Sequence, residues 1–204
     1  MEITQLTVPD SYLVTPRQFG DDRGTFLEWY RFEQLEQAVG HPLRLAQANC
    51  SVSKAGTVRG VHYADVPPSQ AKYVFCVSGA IVDVVVDLRV GSPSFGSWQA
   101  VNLDDVDRRA LYLSEGLGHA FMALTEGATV VYLCSEVYNP AAEHGVHPLD
   151  PDLAIGWPQG STPMLSPKDA AAPTLAQACE AGALPDYQGC QQLYRSLRSA
   201  PVTA

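Results

Sequence analysis

The stretch Ala80-Ile81-Val82-Asp83-Val84-Val85-Val86-Asp87-Leu88 is the clearest structural signal in the chain. Its apolar positions Ala80, Val82, Val84, Val86 and Leu88 recur every second residue, which is the period of a strand rather than a helix. Asp83 and Asp87 punctuate the other face and read as edge or interface charges. Working outward, Thr129-Val130-Val131-Tyr132-Leu133-Cys134 is rich in β-branched and aromatic residues, and further strands are expected at Leu45 to Val52, Lys72 to Val77 and Ala110 to Leu113. Fifteen prolines and sixteen glycines spread along the sequence cut it into short segments, as in sandwiches and barrels. Helix is confined to the flanks. Arg31 to Val39 places Phe32, Leu35 and Val39 on one face before Gly40, and Thr174 to Ala183 is a second short candidate. Pro148 to Asp152 and Ser161-Thr162-Pro163 read as turns. The architecture implied is all-β, a sandwich or jelly roll with short helical appendages. It forms one domain over residues 1–204, with a β core over about 1–160, a helical segment over about 166–195 and a frayed tail at 196–204.

The chain has 204 residues, 22 acidic against 13 basic, for a formal charge of -9; it is 46% hydrophobic and 17% charged. That is too apolar for disorder, and no apolar run approaches the roughly 20 residues of a membrane-spanning helix. The acidic balance leaves no broad basic surface, so neither nucleic acid nor an anionic membrane is an expected partner. The N-terminus shows no basic region followed by an apolar stretch, so a cytoplasmic protein is expected. Cys50, Cys76, Cys134, Cys179 and Cys190 form no CxxC pair and are odd in number, which suits buried free thiols.

Five histidines and three lysines stand out by scarcity. His62 lies in Gly56-Thr57-Val58-Arg59-Gly60-Val61-His62-Tyr63, Lys72 opens an apolar strand after Gln70-Ala71, and His119 follows a glycine turn in Gly118-His119-Ala120-Phe121. A lysine entering an apolar strand must be desolvated or paired, so Lys72 is the least ordinary of these. His62 alone reads equally as a satisfied strand histidine, and Tyr132 alone reads as core. Ser166-Pro167-Lys168-Asp169 reads as a helix cap with Pro at the first helical position. Arg23 and Arg59 alone read as solvated surface charges. His144 and His147 are separated by Gly145 and Val146 and followed by Pro148, so they are read as loop residues rather than metal ligands.

The glycine and histidine spacing resembles the two motifs of metal-binding cupins, with two departures. Ala64 replaces the second histidine of the first motif, and Lys72 replaces its glutamate. Two imidazoles and an ammonium do not make a three- or four-ligand metal site, so neither metal nor other cofactor is expected. That pattern resembles one cupin branch, the dTDP-4-keto-6-deoxyglucose 3,5-epimerases and the related 3- and 5-epimerases of deoxysugar pathways. The likeness covers about residues 1 to 190. It is carried by Asp22-Arg23-Gly24, Gln47-Ala48-Asn49, Val58-Arg59-Gly60-Val61-His62, Gln70-Ala71-Lys72, Val84 to Pro93, Gly118-His119-Ala120-Phe121, Tyr138-Asn139-Pro140 and Leu165-Ser166-Pro167-Lys168-Asp169.

The resemblance implies a homodimeric cupin jelly roll acting on a dTDP-4-keto-6-deoxyhexose. The ketone at C4 acidifies the C–H bonds at C3 and C5. By resemblance, His62 is the base and Asp169 orients it, Lys72 faces the enolate oxygen, and Tyr132 returns the proton from the opposite face. Arg23 and Arg59 would hold the diphosphate and Tyr138 would stack on thymine, with Glu28, Gln47, Asn49, His119, Glu143 and Lys168 contacting nucleotide or sugar. Some of these, such as Arg23 or Glu28, would be supplied across a dimer interface. Common members read His-Phe-Gln where this chain has His62-Tyr63-Ala64, and the departure leans the reading toward C3 epimerisation of antibiotic sugars. The other readings are full 3,5-epimerisation, a sugar-nucleotide 3,4-ketoisomerase and a non-catalytic sugar-nucleotide-binding cupin.

Overall fold

The computed structural model describes residues 1–160 and 162–199. In chain order the elements are β1 (Glu2–Gln5), β2 (Ser11–Thr15), β3 (Gln18–Asp21), β4 (Gly24–Leu27), α1 (Phe32–Val39), β5 (Gln47–Ser53), β6 (Val58–Ala64), β7 (Lys72–Ser78), β8 (Ala80–Val86) and β9 (Trp98–Asp104). There follow β10 (Ala110–Leu113), β11 (Gly118–Ala123), β12 (Ala128–Cys134), β13 (Glu143–Gly145), α2 (Pro167–Ala170), α3 (Leu175–Glu180) and α4 (Tyr187–Ser199). A six-stranded antiparallel sheet, ordered β1-β2-β10-β7-β12-β5, faces a five-stranded one, ordered β13-β6-β11-β8-β9. β3 and β4 form a separate hairpin. This is the jelly roll that the strand pattern implies.

β8 shows why the pattern is so apolar. Val82, Val84 and Val86 pack outward with Trp157, Leu175 and Ala178 of the C-terminal segment. Ile81 and Val85 point inward, toward Val74, Leu111 and Val130 of the facing sheet. Both faces are therefore buried, and a strand buried on both sides reads as a near-continuous apolar run. Asp83 and Asp87 accordingly are not edge or interface charges. Both are fully buried, Asp83 against His119 and Asp87 against Arg89. A third apolar cluster lies on the outer face of the six-stranded sheet, where Leu35 and Val39 of α1 cover Tyr73, Phe75 and Tyr112.

The helices depart from their sequence reading in detail. Phe32 begins α1 but is 38% exposed, so the buried stripe is Leu35 and Val39 alone. Gly40 ends that helix in the left-handed conformation, at φ 89°. Thr174 caps α3 through a reciprocal box with Gln177. α4 runs through Ser199, so residues 196–199 are helical rather than frayed. Ala200 to Ala204, and Ser161 of the expected turn, lie outside the described residues. All five cysteines are free, but Cys50 and Cys179 are exposed, against the expectation of burial.

Candidate active site

The two sheets enclose a cleft of about 740 Å³. From the six-stranded sheet, strand alternation turns Gln47, Asn49 and Ser51 of β5 toward it, while Ala48, Cys50 and Val52 face outward and are exposed. Register then sets rows across the sheet. Gln47 lies opposite Cys134, which lies opposite Lys72; Asn49 lies opposite Tyr132, which lies opposite Val74. Lys72 and Tyr132 thus stand on the same wall, two positions apart along the strand direction.

The opposing wall carries the imidazoles. His62 on β6 and His119 on β11 are directly paired. Arg59 and His62 are three residues apart, a spacing that would put them on opposite faces of a regular strand. The register shifts between them, however, because His62 pairs with His119 while Arg59 pairs with Phe121. Two residues, Gly60 and Val61, therefore oppose Ala120 alone, and the bulge turns both Arg59 and His62 into the cleft. Gly60 suits this place: its φ is +120°, and a Cβ there would stand 2.5 Å from the His119 carbonyl oxygen.

Each histidine has its own aspartate. His62 Nε2 lies 2.6 Å from Asp169 Oδ1, and His119 Nε2 lies 2.5 Å from Asp83 Oδ1. Asp169 comes from the third position of α2, and the cap predicted from its sequence is present. Ser166 Oγ accepts from the Asp169 backbone N–H at 3.0 Å and donates to Asp169 Oδ2 at 2.9 Å. The same residue therefore serves the cap through its backbone and His62 through its side chain. Burial works to raise the Asp169 carboxyl, but His62, Ser166 and the Gly60 N–H outweigh it and hold the group below the ordinary carboxylate range.

The six-stranded wall is tuned the other way. Burial lowers the Lys72 ammonium from its ordinary value, against the opposing pull of Glu143, Cys134 and Asp83. Burial raises the Tyr132 phenol, with Cys134 and Glu143 adding to the rise and Arg59 opposing it, so the hydroxyl keeps its proton. Tyr132 also packs against the inter-sheet core, so the core reading and the site reading hold together.

Of the residues singled out in the sequence, His62, Tyr132, Asp169, Lys72, Gln47, Asn49, Arg59, His119, Tyr138, Glu143 and Lys168 all line this cleft. Tyr138 stands at its rim, 53% exposed, its backbone N–H held by Gln47 Oε1 at 2.9 Å. Arg23 and Glu28 do not line it. Arg23 sits at the tip of the β3–β4 hairpin, paired with Asp21 at 2.5 Å and 90% exposed, and Glu28 pairs with Arg31. His144, expected in a loop, belongs to β13 and bonds to Asp65, whereas His147 is in a loop as read. The sequence reading missed Ser51, which the period of β5 would have supplied, and Gln70, which stood in a quoted motif. It also missed Phe121, two residues beyond His119, and Lys54 and Thr57 at the turn before β6. Asp83 was seen and misplaced.

Comparison with known proteins identifies the family and matches the fold. The family model for dTDP-4-dehydrorhamnose 3,5-epimerase matches residues 5–177. A dTDP-4-dehydrorhamnose 3-epimerase of Streptomyces niveus is 59% identical over 191 residues, 94% of this chain and 92% of the relative. Among solved structures, a 4-keto-6-deoxy sugar epimerase from the novobiocin biosynthetic gene cluster of Streptomyces spheroides superposes with a TM-score of 0.92 at 59% identity, covering 94% of this chain and 96% of that one. A 3'-monoepimerase from Streptomyces bikiniensis in complex with dTDP-quinovose gives a TM-score of 0.94 at 49% identity, covering 96% and 99%. With the family model spanning most of the sequence and relatives matched along nearly their whole length, the chain belongs to the dTDP-4-dehydrorhamnose 3,5-epimerase family of cupin-fold sugar epimerases.

Proposed function

We propose that the protein epimerises a dTDP-4-keto-6-deoxyhexose in antibiotic-sugar synthesis, with C3 as the favoured centre. The observation that carries this reading is the division of labour between the walls. A histidine–aspartate pair stands on one sheet, and a protonated tyrosine beside a lysine stands on the other. A sugar ring held between them presents one face to each. His62 bonds to Asp169 through Nε2, so with the proton on that nitrogen its Nδ1 carries the lone pair that takes the proton from C3. The bonding electrons pass into the enolate, whose negative charge gathers on the C4 oxygen toward Lys72. A fixed charge there is worth most when that charge has formed. Tyr132 then delivers a proton to the opposite face, and the centre is inverted.

Arg59 and Lys168 supply cations for the diphosphate. The Arg59 guanidinium is steadied by Ser53 Oγ at 3.2 Å, and Lys168 lies beside Asp169 on α2. Tyr138 at the rim offers an aromatic face to thymine. We infer a homodimer as well. The β3–β4 hairpin holds Phe19 and Phe26 largely exposed, and it carries Arg23 away from its own cleft, as a residue lent to a partner's cleft would be. Sedimentation of the purified protein as a monomer would contradict that part. The five free thiols suit a reducing compartment, the cytoplasm.

The reaction is tested by incubating the protein with dTDP-4-keto-6-deoxyglucose in deuterated water and following C3 and C5 by proton NMR. Exchange at C3, alone or ahead of C5, supports the proposal; equal rates at both make it a 3,5-epimerase, and no exchange at either overturns it. The His62→Asn variant is expected to lose about a hundred- to ten-thousand-fold in exchange rate.

A further inference from the structure

Two buried aspartates lie on or beside β8, and the fold satisfies them very differently. Asp87 is saturated: Arg89 donates to both of its oxygens, and the hydroxyls of Ser92 and Ser94 donate to its Oδ2 at 2.6 and 2.7 Å. Asp83 is equally buried, at 0% exposure. Among the described residues its side chain has one partner, the His119 ring at Oδ1, and its Oδ2 has none. An unbonded carboxylate oxygen in the interior costs stability, and a chain that needed Asp83 for folding alone would gain from an apolar residue there. The single bond of this carboxylate goes to a side chain of the cleft.

Strand geometry explains the contact. Asp83 is paired in register with Phe121 and His119 with Val85, so Asp83 and His119 are diagonal neighbours across β8 and β11. Ile81 and Val85 point between the sheets, and Asp83, midway between them, shares their face. It is closed off from solvent, while His119 lines the cleft. A carboxylate only accepts hydrogen bonds, so the proton of this contact sits on Nε2 of His119, which is thereby committed to Asp83. Nδ1 makes no hydrogen bond among the described residues and remains as the bonding group that the ring can offer the cleft. His62, the proposed base, is the direct cross-strand partner of His119, so the free nitrogen belongs beside the sugar on which His62 works.

Resting on the epimerase reading, we propose that Asp83 is a positioning residue for the reaction: it acts through His119, fixing the ring so that Nδ1 meets an oxygen of the sugar. The pair repeats the arrangement of His62 and Asp169 on the same wall, with one difference. Asp169 is held by Ser166 as well as by its histidine, whereas the Asp83 side chain has the ring alone. Its effect on turnover therefore runs through His119.

The test is a double-mutant cycle. Asp83→Asn, His119→Ala and the double variant are compared with wild type for kcat/KM of deuterium exchange from solvent into dTDP-4-keto-6-deoxyglucose, at whichever ring carbon exchanges. Active sites are counted by dTDP binding, so that loss of folded protein does not enter. Asp83→Asn is expected to lower kcat/KM about ten- to a hundredfold in the wild-type background and to change it by no more than about twofold once His119 is gone. Equal losses in both backgrounds, as a purely structural role or action through Lys72 would give, overturn the proposal, and so does the absence of any loss. A second measurement needs no turnover and decides where His119→Ala is too slow to assay. In wild type labelled with ¹⁵N-histidine, Nε2 of His119 is expected to carry a proton. The non-reacting dTDP-6-deoxyglucose, with a hydroxyl in place of the ketone, is expected to shift the Nδ1 resonance where dTDP alone does not. An unprotonated Nε2, or an Nδ1 that ignores the sugar or responds equally to dTDP, overturns the proposal. Absence of exchange by the wild type overturns the epimerase reading instead, and the ring spectrum then still decides whether Asp83 sets the nitrogen that His119 offers.

Discussion

Arg89 and Lys72 are both cations withdrawn from water, and the fold treats them in opposite ways. Arg89 is fully buried and saturated. It donates to both oxygens of Asp87 at 2.9 Å, to Asp10 at 2.6 Å, to the Pro9 carbonyl at 3.2 Å and to the Tyr194 hydroxyl at 3.2 Å. These bonds tie the β1–β2 loop, the end of β8 and the C-terminal helix α4 together. Lys72, among the described residues, has no carboxylate within ion-pair distance, and its charge is favoured by Glu143, Cys134 and Asp83 without a direct ion pair. A structural charge is satisfied before anything happens. A charge meant for a transition state is most useful when its partner appears only during the reaction.

Removing the two cations should therefore fail in different measurements. The largest effect is expected from Arg89→Ala, which strands Asp87 and Asp10 in the interior and should cost about 3–5 kcal/mol of stability in denaturant unfolding. The protein that remains folded should turn over normally per active site. Lys72→Met should do the reverse, lowering kcat by about 10²–10³-fold while leaving the midpoint of unfolding at or above that of wild type. If Lys72→Met proved as destabilising as Arg89→Ala, the distinction between the two cations would be lost.

A smaller effect sharpens the structural side. Glu115 lies in the same buried region, its side-chain Oε2 without a partner among the described residues. Burial, with Asp10 and Glu136 adding to it, pushes its carboxyl up to about 7 from an ordinary value near 4.5. A raised acid is neutral when folded, so its contribution is fully present below about pH 4.5 and is lost as pH rises through about 7. Glu115→Gln should remove that loss, making the variant more stable than wild type above pH 7 by up to about 3 kcal/mol and flattening the profile between the two values. Identical pH profiles of unfolding for the two proteins would contradict this assignment.

The same contrast marks how far the sequence was legible. The strands at β8, β10 and β12 stood out because period and residue type agree over many positions. Asp83 and Asp87 misled for the same reason, since charges interrupting a strand usually mark its wet face. Their burial depends on partners: His119 lies 36 residues away from Asp83, whereas Arg89, two residues from Asp87, was a local clue left unread. The shared face of Arg59 and His62 was not legible from spacing, because an odd interval gives opposite faces unless a bulge intervenes, and only the Gly60 step hinted at one. The end of α4 was set too early because the helix is polar over most of its surface, with Cys190 and Tyr194 its only buried residues. The residues proposed for acid–base work were named through resemblance, and the structure adds that they divide between two walls of the cleft.

That division is tested most directly with Tyr132→Phe in deuterated water. If His62 works from one wall and Tyr132 from the other, the variant should still exchange the C3 proton, because the base is intact. It should return deuterium from the same side, so that labelled substrate accumulates with its original configuration and little epimer forms. Formation of the C3 epimer by Tyr132→Phe at the wild-type rate would contradict the two-wall account.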